Sequence, residues 1–192
     1  MREIEVLVQV HENLEKAREI LERSGQFVKA LRIHDVYLVD PKRSNLRPNE
    51  YGGLTEALRI RKTDGGDFLT HKIDHFDGKT GAWTHSDEQE IGVESAQTTL
   101  MIFKRLGFEE LVVVDMERLY FETSEYVISL EDVKGLGLFM EVEARPTDVR
   151  DAPIVRKEII QFIQQLGFET SKDVGVGKPE LLLRKRMKAE LK

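Results

Sequence analysis

Polar and apolar positions alternate along much of this chain. In Glu3-Ile4-Glu5-Val6-Leu7-Val8-Gln9-Val10, Glu3 and Glu5 share one face while Ile4, Val6, Val8 and Val10 take the other, because strand side chains point to opposite faces with period 2. The stretch 137–145 repeats the pattern: Phe139, Glu141, Glu143 and Arg145 oppose Met140, Val142 and Ala144. Residues 88–93 place Glu88 and Glu90 together, and 57–62 set Arg59 and Arg61 against Leu58 and Ile60.

The same reading predicts strands over 2–10, 27–40, 57–62, 68–73, 88–93, 111–121, 126–131 and 137–145. Asp64-Gly65-Gly66-Asp67 reads as a hairpin turn, 41–53 as a loop and 74–87 as a polar loop. Helices are expected from about 13 to 24 and from about 95 to 106. A third opens at Pro153 and stops at Gly167, and a basic one runs from about 179 to 191. Glu3-x-Glu5, Glu88-x-Glu90 and Glu141-x-Glu143 each precede a helix that ends near a glycine, at Gly25, Gly107 and Gly167. This internal repeat predicts a pseudo-symmetric sheet of about eight strands. Hairpins mixed with helices indicate an α+β fold with a mainly antiparallel sheet, and a sheet of that size removes its edges by closing.

Composition narrows the chemistry. The chain has 192 residues and 40% hydrophobic content, enough for one domain over 1–192, with a core over about 1–183. No apolar run is long enough to span a membrane, and Met1-Arg2-Glu3 leads straight into a strand pattern, so neither a signal segment nor a membrane partner is expected. Cysteine is absent. Thiolate sites are therefore excluded, a metal must sit on oxygen or imidazole, and a cytoplasmic location follows by default. The net charge of −6 speaks against nucleic acid as a partner. Arg184, Lys185, Arg186 and Lys188 read as a solvated helix face rather than an RNA patch.

A single Glu-x-Glu on a strand usually marks a solvated face. Three such strands, with Arg59, Arg61, Lys72 and Arg118 in the same alternation, indicate a shared interior holding both signs of charge. Carboxylates suit the hard ions Mg²⁺ or Mn²⁺, and Arg and Lys suit phosphate oxygens. A polyphosphate needs both. His71 is placed beside Lys72 as a lumen neighbour, and Trp83 in a polar loop as a surface contact.

Several ordered stretches carry a family resemblance: Glu3-x-Glu5, Glu56-Ala57-Leu58-Arg59-Ile60-Arg61, Leu69-Thr70-His71-Lys72, Arg118, Leu130-Glu131-Asp132-Val133-Lys134-Gly135-Leu136-Gly137 and Phe139-Met140-Glu141-Val142-Glu143. Together they resemble the CYTH superfamily, which includes class IV adenylyl cyclases and thiamine triphosphatases. The resemblance covers roughly residues 1 to 183. It implies an eight-stranded antiparallel β-barrel, a triphosphate tunnel with helices packed outside. The implied activity is metal-dependent conversion of ATP to cyclic AMP and pyrophosphate. The alternatives are hydrolysis of inorganic or thiamine triphosphate, or binding of a nucleotide or polyphosphate without turnover. By position, Arg59, Arg61, Lys72 and Arg118 would bind the phosphates and act in catalysis, with Lys79 and Lys178 as further substrate contacts. Glu3, Glu5, Glu141 and Glu143 would hold Mg²⁺ or Mn²⁺, with Glu88, Glu90 and Glu131 as additional acidic candidates. Relatives are often homodimers. Three positions depart from the family pattern: Leu7 and Met116 stand where cations are usual, and Leu130-Glu131-Asp132-Val133 replaces Leu-Asp-x-Val.

Overall fold

In the computed structural model, which describes residues 2–145 and 150–190, the alternating stretches form one antiparallel sheet. Its strands are β1 (Arg2–Glu3), β2 (Glu5–Gln9), β3 (Gln26–Val39), β4 (Glu56–Thr63), β5 (Gly66–Phe76), β6 (Trp83–Val93), β7 (Glu109–Glu122), β8 (Tyr126–Val133) and β9 (Gly137–Ala144). The helices are α1 (Leu14–Ser24), α2 (Ala96–Arg105), α3 (Ala152–Gln165) and α4 (Lys178–Glu190); residue 191, expected at the end of the last one, lies outside the described residues. No described helix is long and apolar enough to cross a membrane.

The spatial order is β1-β6-β5-β4-β3-β7-β8-β9-β2. The two ends of that order are the same stretch of chain. Arg2 and Glu3 pair with Asp87 and Ser86 of β6, whereas Glu5 to Gln9 pair with Glu143 to Phe139 of β9. The N-terminal stretch therefore straddles both open edges, and the Ala144 amide donates to the Ile4 carbonyl at the step. The barrel is nearly closed. Counted by hydrogen bonding it has nine strands; counted by continuous chain it matches the eight expected, since β1 and β2 are one strand divided at Ile4.

Sidedness follows from the alternation. Ile4, Val6, Val8, Ile128, Leu130, Met140 and Val142 pack outward against Ala17 and Leu21 of α1 and Val155, Ile159 and Ile163 of α3. On the opposite wall, Val36, Leu38, Leu58 and Ile60 pack against Ala96, Leu100 and Phe103 of α2. Burying these apolar rows stabilises the fold by roughly 1.5–3 kcal/mol per large side chain and leaves the inner face for polar chemistry. Asn13 and Ser95 cap α1 and α2 by accepting the Lys16 and Thr98 amides. Gly107 and Gly167 end their helices at φ 96° and 76°, where a side chain would be strained. Gly25 differs: its backbone is extended, and a Cβ there would meet the Glu122 carbonyl at 2.9 Å.

Two expectations are corrected. Residues 74–87 are not one loop: β5 and β6 continue through Phe76 and from Trp83, leaving only 77–82 as the turn. Directly paired positions such as His75 with His85 extend the ladder, and a polar surface does not prevent that. The last helix is not simply packed outside. Leu181 and Leu182 of α4 join an inner-face cluster of Leu7, Ile33, Tyr37, Val114, Met116, Val133 and Phe139. Three helices clothe the barrel, and α4 seats against one end of its lumen; Lys185, Arg186 and Lys188 remain exposed.

Candidate triphosphate site in the barrel lumen

The inner rows of the strands meet as ion pairs. Lys72 Nζ of β5 lies 3.1 Å from Glu3, 3.1 Å from Glu5 and 3.7 Å from Glu88. Arg59 Nη2 of β4 reaches Glu88 and Glu90 at 3.3 Å each and the Thr70 hydroxyl at 3.1 Å. Arg118 of β7 pairs with Glu131 of β8, which is fully buried. Lys178, at the first turn of α4, donates to Glu131 at 2.7 Å and to Glu141 at 2.5 Å. Residues from β1, β2, β4 to β9 and α4 thus converge on one cavity.

Electrostatics divide the carboxylates into two groups. Burial pushes the Glu141 carboxyl up, but the Lys178 and Arg118 charges outweigh it and hold the group well below the usual range. Glu88 behaves likewise: burial opposes ionisation, and Arg59 and Lys72 prevail. Glu143 has no such partner. Burial, reinforced by the charges of Glu3, Glu5 and Glu141, raises it to about 8, and no described residue gives it a hydrogen bond or ion pair. Glu3 is raised to about 7, first by burial and then by its acidic neighbours Glu5 and Glu88, despite Lys72. Burial also raises Glu5 against the pull of Lys72. The cations shift the opposite way. Burial lowers Lys72, Arg59, Arg118 and Lys178, yet the facing anions outweigh it and raise all four.

The crowded edge around Glu3, Glu5 and Glu143 is therefore short of positive charge. The donors there are all carboxylate oxygens, the kind a hard divalent cation takes, but among the described residues only His75, His85 and Asp87 bring three ligand atoms within 4.8 Å of one another. The Lys72 ammonium already sits beside Glu3 and Glu5, with Glu88 on its other side, and is the built-in cation that a divalent ion in the lumen would adjoin.

Most of the residues named from the sequence share this cavity: Arg59, Arg61, Lys72, Arg118 and Lys178 with Glu3, Glu5, Glu88, Glu90, Glu131, Glu141 and Glu143. Lys79 does not join them. It is exposed in the 77–82 turn, where its amide donates to Asp77. Arg145 also leaves the inner row. It falls just past the end of β9 and turns to Glu122 at 3.1 Å and to the Thr123 carbonyl. His71 faces outward and meets Glu56 at 2.5 Å, because it alternates with Thr70 and Lys72. Trp83 is a strand residue. Its Nε1 donates to Asp74, and the Arg156 guanidinium lies 4.5 Å over its ring.

Asp35 was not singled out. It is 1% exposed and receives two hydrogen bonds from Arg61, both 2.7 Å. Burial raises its carboxyl, but the Arg61 hydrogen bonds and charge outweigh that and leave it below the ordinary value. Its signal was the alternation of Ile33, Asp35 and Tyr37 against Val36 and Leu38. The two missing cations also have a structural counterpart. Leu7 and Met116 belong to the apolar end of the lumen, where the leucines of α4 pack. Glu131, in place of the shorter Asp, spans from β8 to both Arg118 and Lys178, while Asp132 points away and is exposed.

A family model for the CYTH domain matches residues 1–175. The chain belongs to the CYTH family. It is similar, at 30% identity over 186 residues covering 96% of this chain and 99% of the other, to a Methanocaldococcus jannaschii protein provisionally named an adenylate cyclase. Among solved CYTH-like folds, the PH1819 protein of Pyrococcus horikoshii superposes with a TM-score of 0.76 at 28% identity, covering 95% of this chain and 99% of that one. A Hippeastrum adenylyl cyclase candidate, described as having a dominant triphosphatase activity, superposes with a TM-score of 0.66 at 16% identity, covering 96% of each chain. At that identity the last likeness speaks to the fold alone.

Proposed function

We propose that this CYTH protein is a metal-dependent, cytoplasmic enzyme acting on a triphosphate, with conversion of ATP to cyclic AMP and pyrophosphate as its leading reaction. The observation that carries the reading is the convergence of Arg59, Arg61, Lys72, Arg118 and Lys178 on one lumen that also holds an underneutralised carboxylate cluster. A triphosphate chain would take over the cations from their carboxylate partners. Arg59 would supply a planar fork, Arg61 the Nη1 edge that its pairing with Asp35 leaves over, and Lys72 and Lys178 point charges. Mg²⁺ or Mn²⁺ held by Glu3, Glu5, Glu141 and Glu143 would supply charge neutralisation on the phosphoryl oxygens. Catalysis in such a site is mostly positioning and electrostatic stabilisation. For cyclisation, the residues must hold the α-phosphorus in line with the 3′-hydroxyl while pyrophosphate departs. The name given to the Methanocaldococcus relative supports that reaction.

Hydrolysis is the second reading. It is favoured by the cluster of Arg118, Lys178 and Glu131 beside the end of the lumen occupied by α4. A chain entering from the other end would bring its terminal phosphate there.

Incubation with ATP, inorganic triphosphate and thiamine triphosphate, each with Mg²⁺ or Mn²⁺, separates these readings. Cyclic AMP plus pyrophosphate supports the cyclase, and orthophosphate the triphosphatase. Thermal stabilisation by triphosphate without product would mean a binding module. Arg59→Ala should abolish turnover; full activity in that variant would remove the lumen as the site.

A further inference from the structure

Outside the lumen, the wall formed by β5 and β6 carries a second group of donors. His75 and His85 are directly paired across the two strands. Their rings stack nearly parallel, 8° apart in plane with centroids 4.5 Å apart. Asp87, two residues beyond His85, places Oδ2 2.8 Å from His75 Nε2. One donor atom from each of the three lies within 4.8 Å of the others. We propose that His75, His85 and Asp87 form a binding site for a divalent ion of the zinc class, distinct from the lumen in place and in chemistry.

The hydrogen bonding favours this. The Thr84 hydroxyl donates its single proton to the His75 carbonyl at 2.9 Å. Its 3.0 Å contact with His85 Nδ1 must therefore be accepted from an Nδ1–H. That fixes the His85 tautomer and leaves Nε2 with its lone pair free, the arrangement by which a neighbouring oxygen orients a metal-binding imidazole. Two imidazoles and a carboxylate are the protein ligands of an open zinc site, with water in the fourth position. Bonds of about 2.0–2.1 Å imply donor separations of roughly 3.3 Å. The two ring planes run parallel, so one imidazole must turn out of the stack to aim its lone pair at a shared ion; side chains 42% exposed at His75 and 57% exposed at Asp87 have room for that turn. The strand ladder holds the backbones in place meanwhile.

Selectivity separates the two sites. The lumen offers carboxylate oxygens, which suit Mg²⁺ and Mn²⁺; the outer wall offers two imidazole nitrogens, which suit Zn²⁺, Ni²⁺ or Cu²⁺. The inner neighbours of the outer donors are Asp74, Ser86 and Glu88, so an ion here would tie β5 to β6 directly behind the lumen wall. Arg2 opposes binding: it is the cross-strand partner of Asp87 and places a cation near His85.

Isothermal titration of Zn²⁺ into the full chain, with Mg²⁺ in excess to occupy the lumen carboxylates, tests the site. Single-site binding is expected. His75→Ala and His85→Ala should each weaken it at least about tenfold, Arg2→Ala should tighten it, and Glu143→Gln should leave it unchanged. On the unsubstituted protein, the ring ¹⁵N resonances of His75 and His85 should move with Zn²⁺ while those of His11, His34 and His71 stay. No binding, affinity in both histidine variants unchanged from the unsubstituted protein, or loss of binding in Glu143→Gln with unmoved His75 and His85 resonances would overturn the proposal.

Discussion

Asp35 and Arg61 face each other across β3 and β4 and are joined by two parallel hydrogen bonds of 2.7 Å, Nε to Oδ1 and Nη2 to Oδ2. Such a fork fixes a guanidinium in orientation as well as position. Both side chains are largely buried, with 1% of Asp35 and 12% of Arg61 exposed. Removing the acid would leave a cation unpaired in the lumen. Asp35→Asn should therefore cost about 3–5 kcal/mol of stability, as breaking a buried pair does. Loss of orientation at Arg61 should also lower kcat/KM for the triphosphate by roughly 10- to 100-fold. Urea unfolding and steady-state kinetics measure the two effects. A variant with ordinary stability and kinetics would show that Arg61 is not held by this contact.

Restoring the family's cation at Leu7 tests the apolar end of the lumen. Leu7 is 7% exposed and clusters with Val133, Phe139 and the α4 leucines. The carboxylate across from it, Glu141, is already taken by Lys178 and lies beside Arg118, so an ammonium placed there would compete with two cations. Leu7→Lys should cost about 2–5 kcal/mol without increasing turnover. A stable variant with faster turnover would mean that α4 does not occupy that end during catalysis.

Trp83 is the single tryptophan of the chain and lies between Asp74 and Arg156. Arg156 also donates to the Glu5 carbonyl and pairs with Asp173. A polyanion bound beside Glu5 and Lys72 changes the field at the indole. Its emission should titrate saturably with triphosphate, and Arg59→Ala should remove the titration. An emission that ignores triphosphate while product still forms would place the substrate elsewhere.

The strand periodicity carried most of this architecture. Glu3, Glu5, Arg59, Arg61, Glu141 and Glu143 fall on the inner face because their neighbours at odd spacing are the Ile, Val, Leu and Met that α1, α2 and α3 cover. Period 2 gives sidedness within one strand, and the repetition of charged rows implied a common interior. What alternation does not encode is where a chain leaves its strand. Arg145 kept the parity of Glu141 and Glu143 yet turned to Glu122, since β9 ends at Ala144. Parity likewise assigns His71 outward; sequence proximity to Lys72 suggested otherwise, and parity prevailed. The seating of α4 was hidden because Leu181, Leu182 and Leu183 form a run rather than a stripe, and Lys178 precedes them as one cation among many. Asp35 was overlooked because a single acid among β-formers resembles a solvated position until Arg61 is set beside it.

The carboxyls that burial raises give the stability of the metal-free protein a defined pH dependence. Glu143 is raised from 4.5 to about 8, by burial first and then by its acidic neighbours, and Glu3 is raised to about 7. The folded protein therefore binds these protons more tightly than the unfolded chain, where both groups titrate near 4.5. Their contribution to stability is complete below about pH 4.5 and is lost as pH rises through about 7 and 8. In chelator, the thermal midpoint should fall between pH 5 and pH 8, and Glu143→Gln, which cannot ionise, should flatten that fall. Mg²⁺ or Mn²⁺ competes with the same protons, so added ion should restore the midpoint more at pH 8 than at pH 6. Scanning calorimetry of both proteins at these pH values, with and without ion, measures this. A midpoint that rises toward pH 8 without metal, or a Glu143→Gln variant with the same slope, would show that Glu143 is already neutralised by another cation.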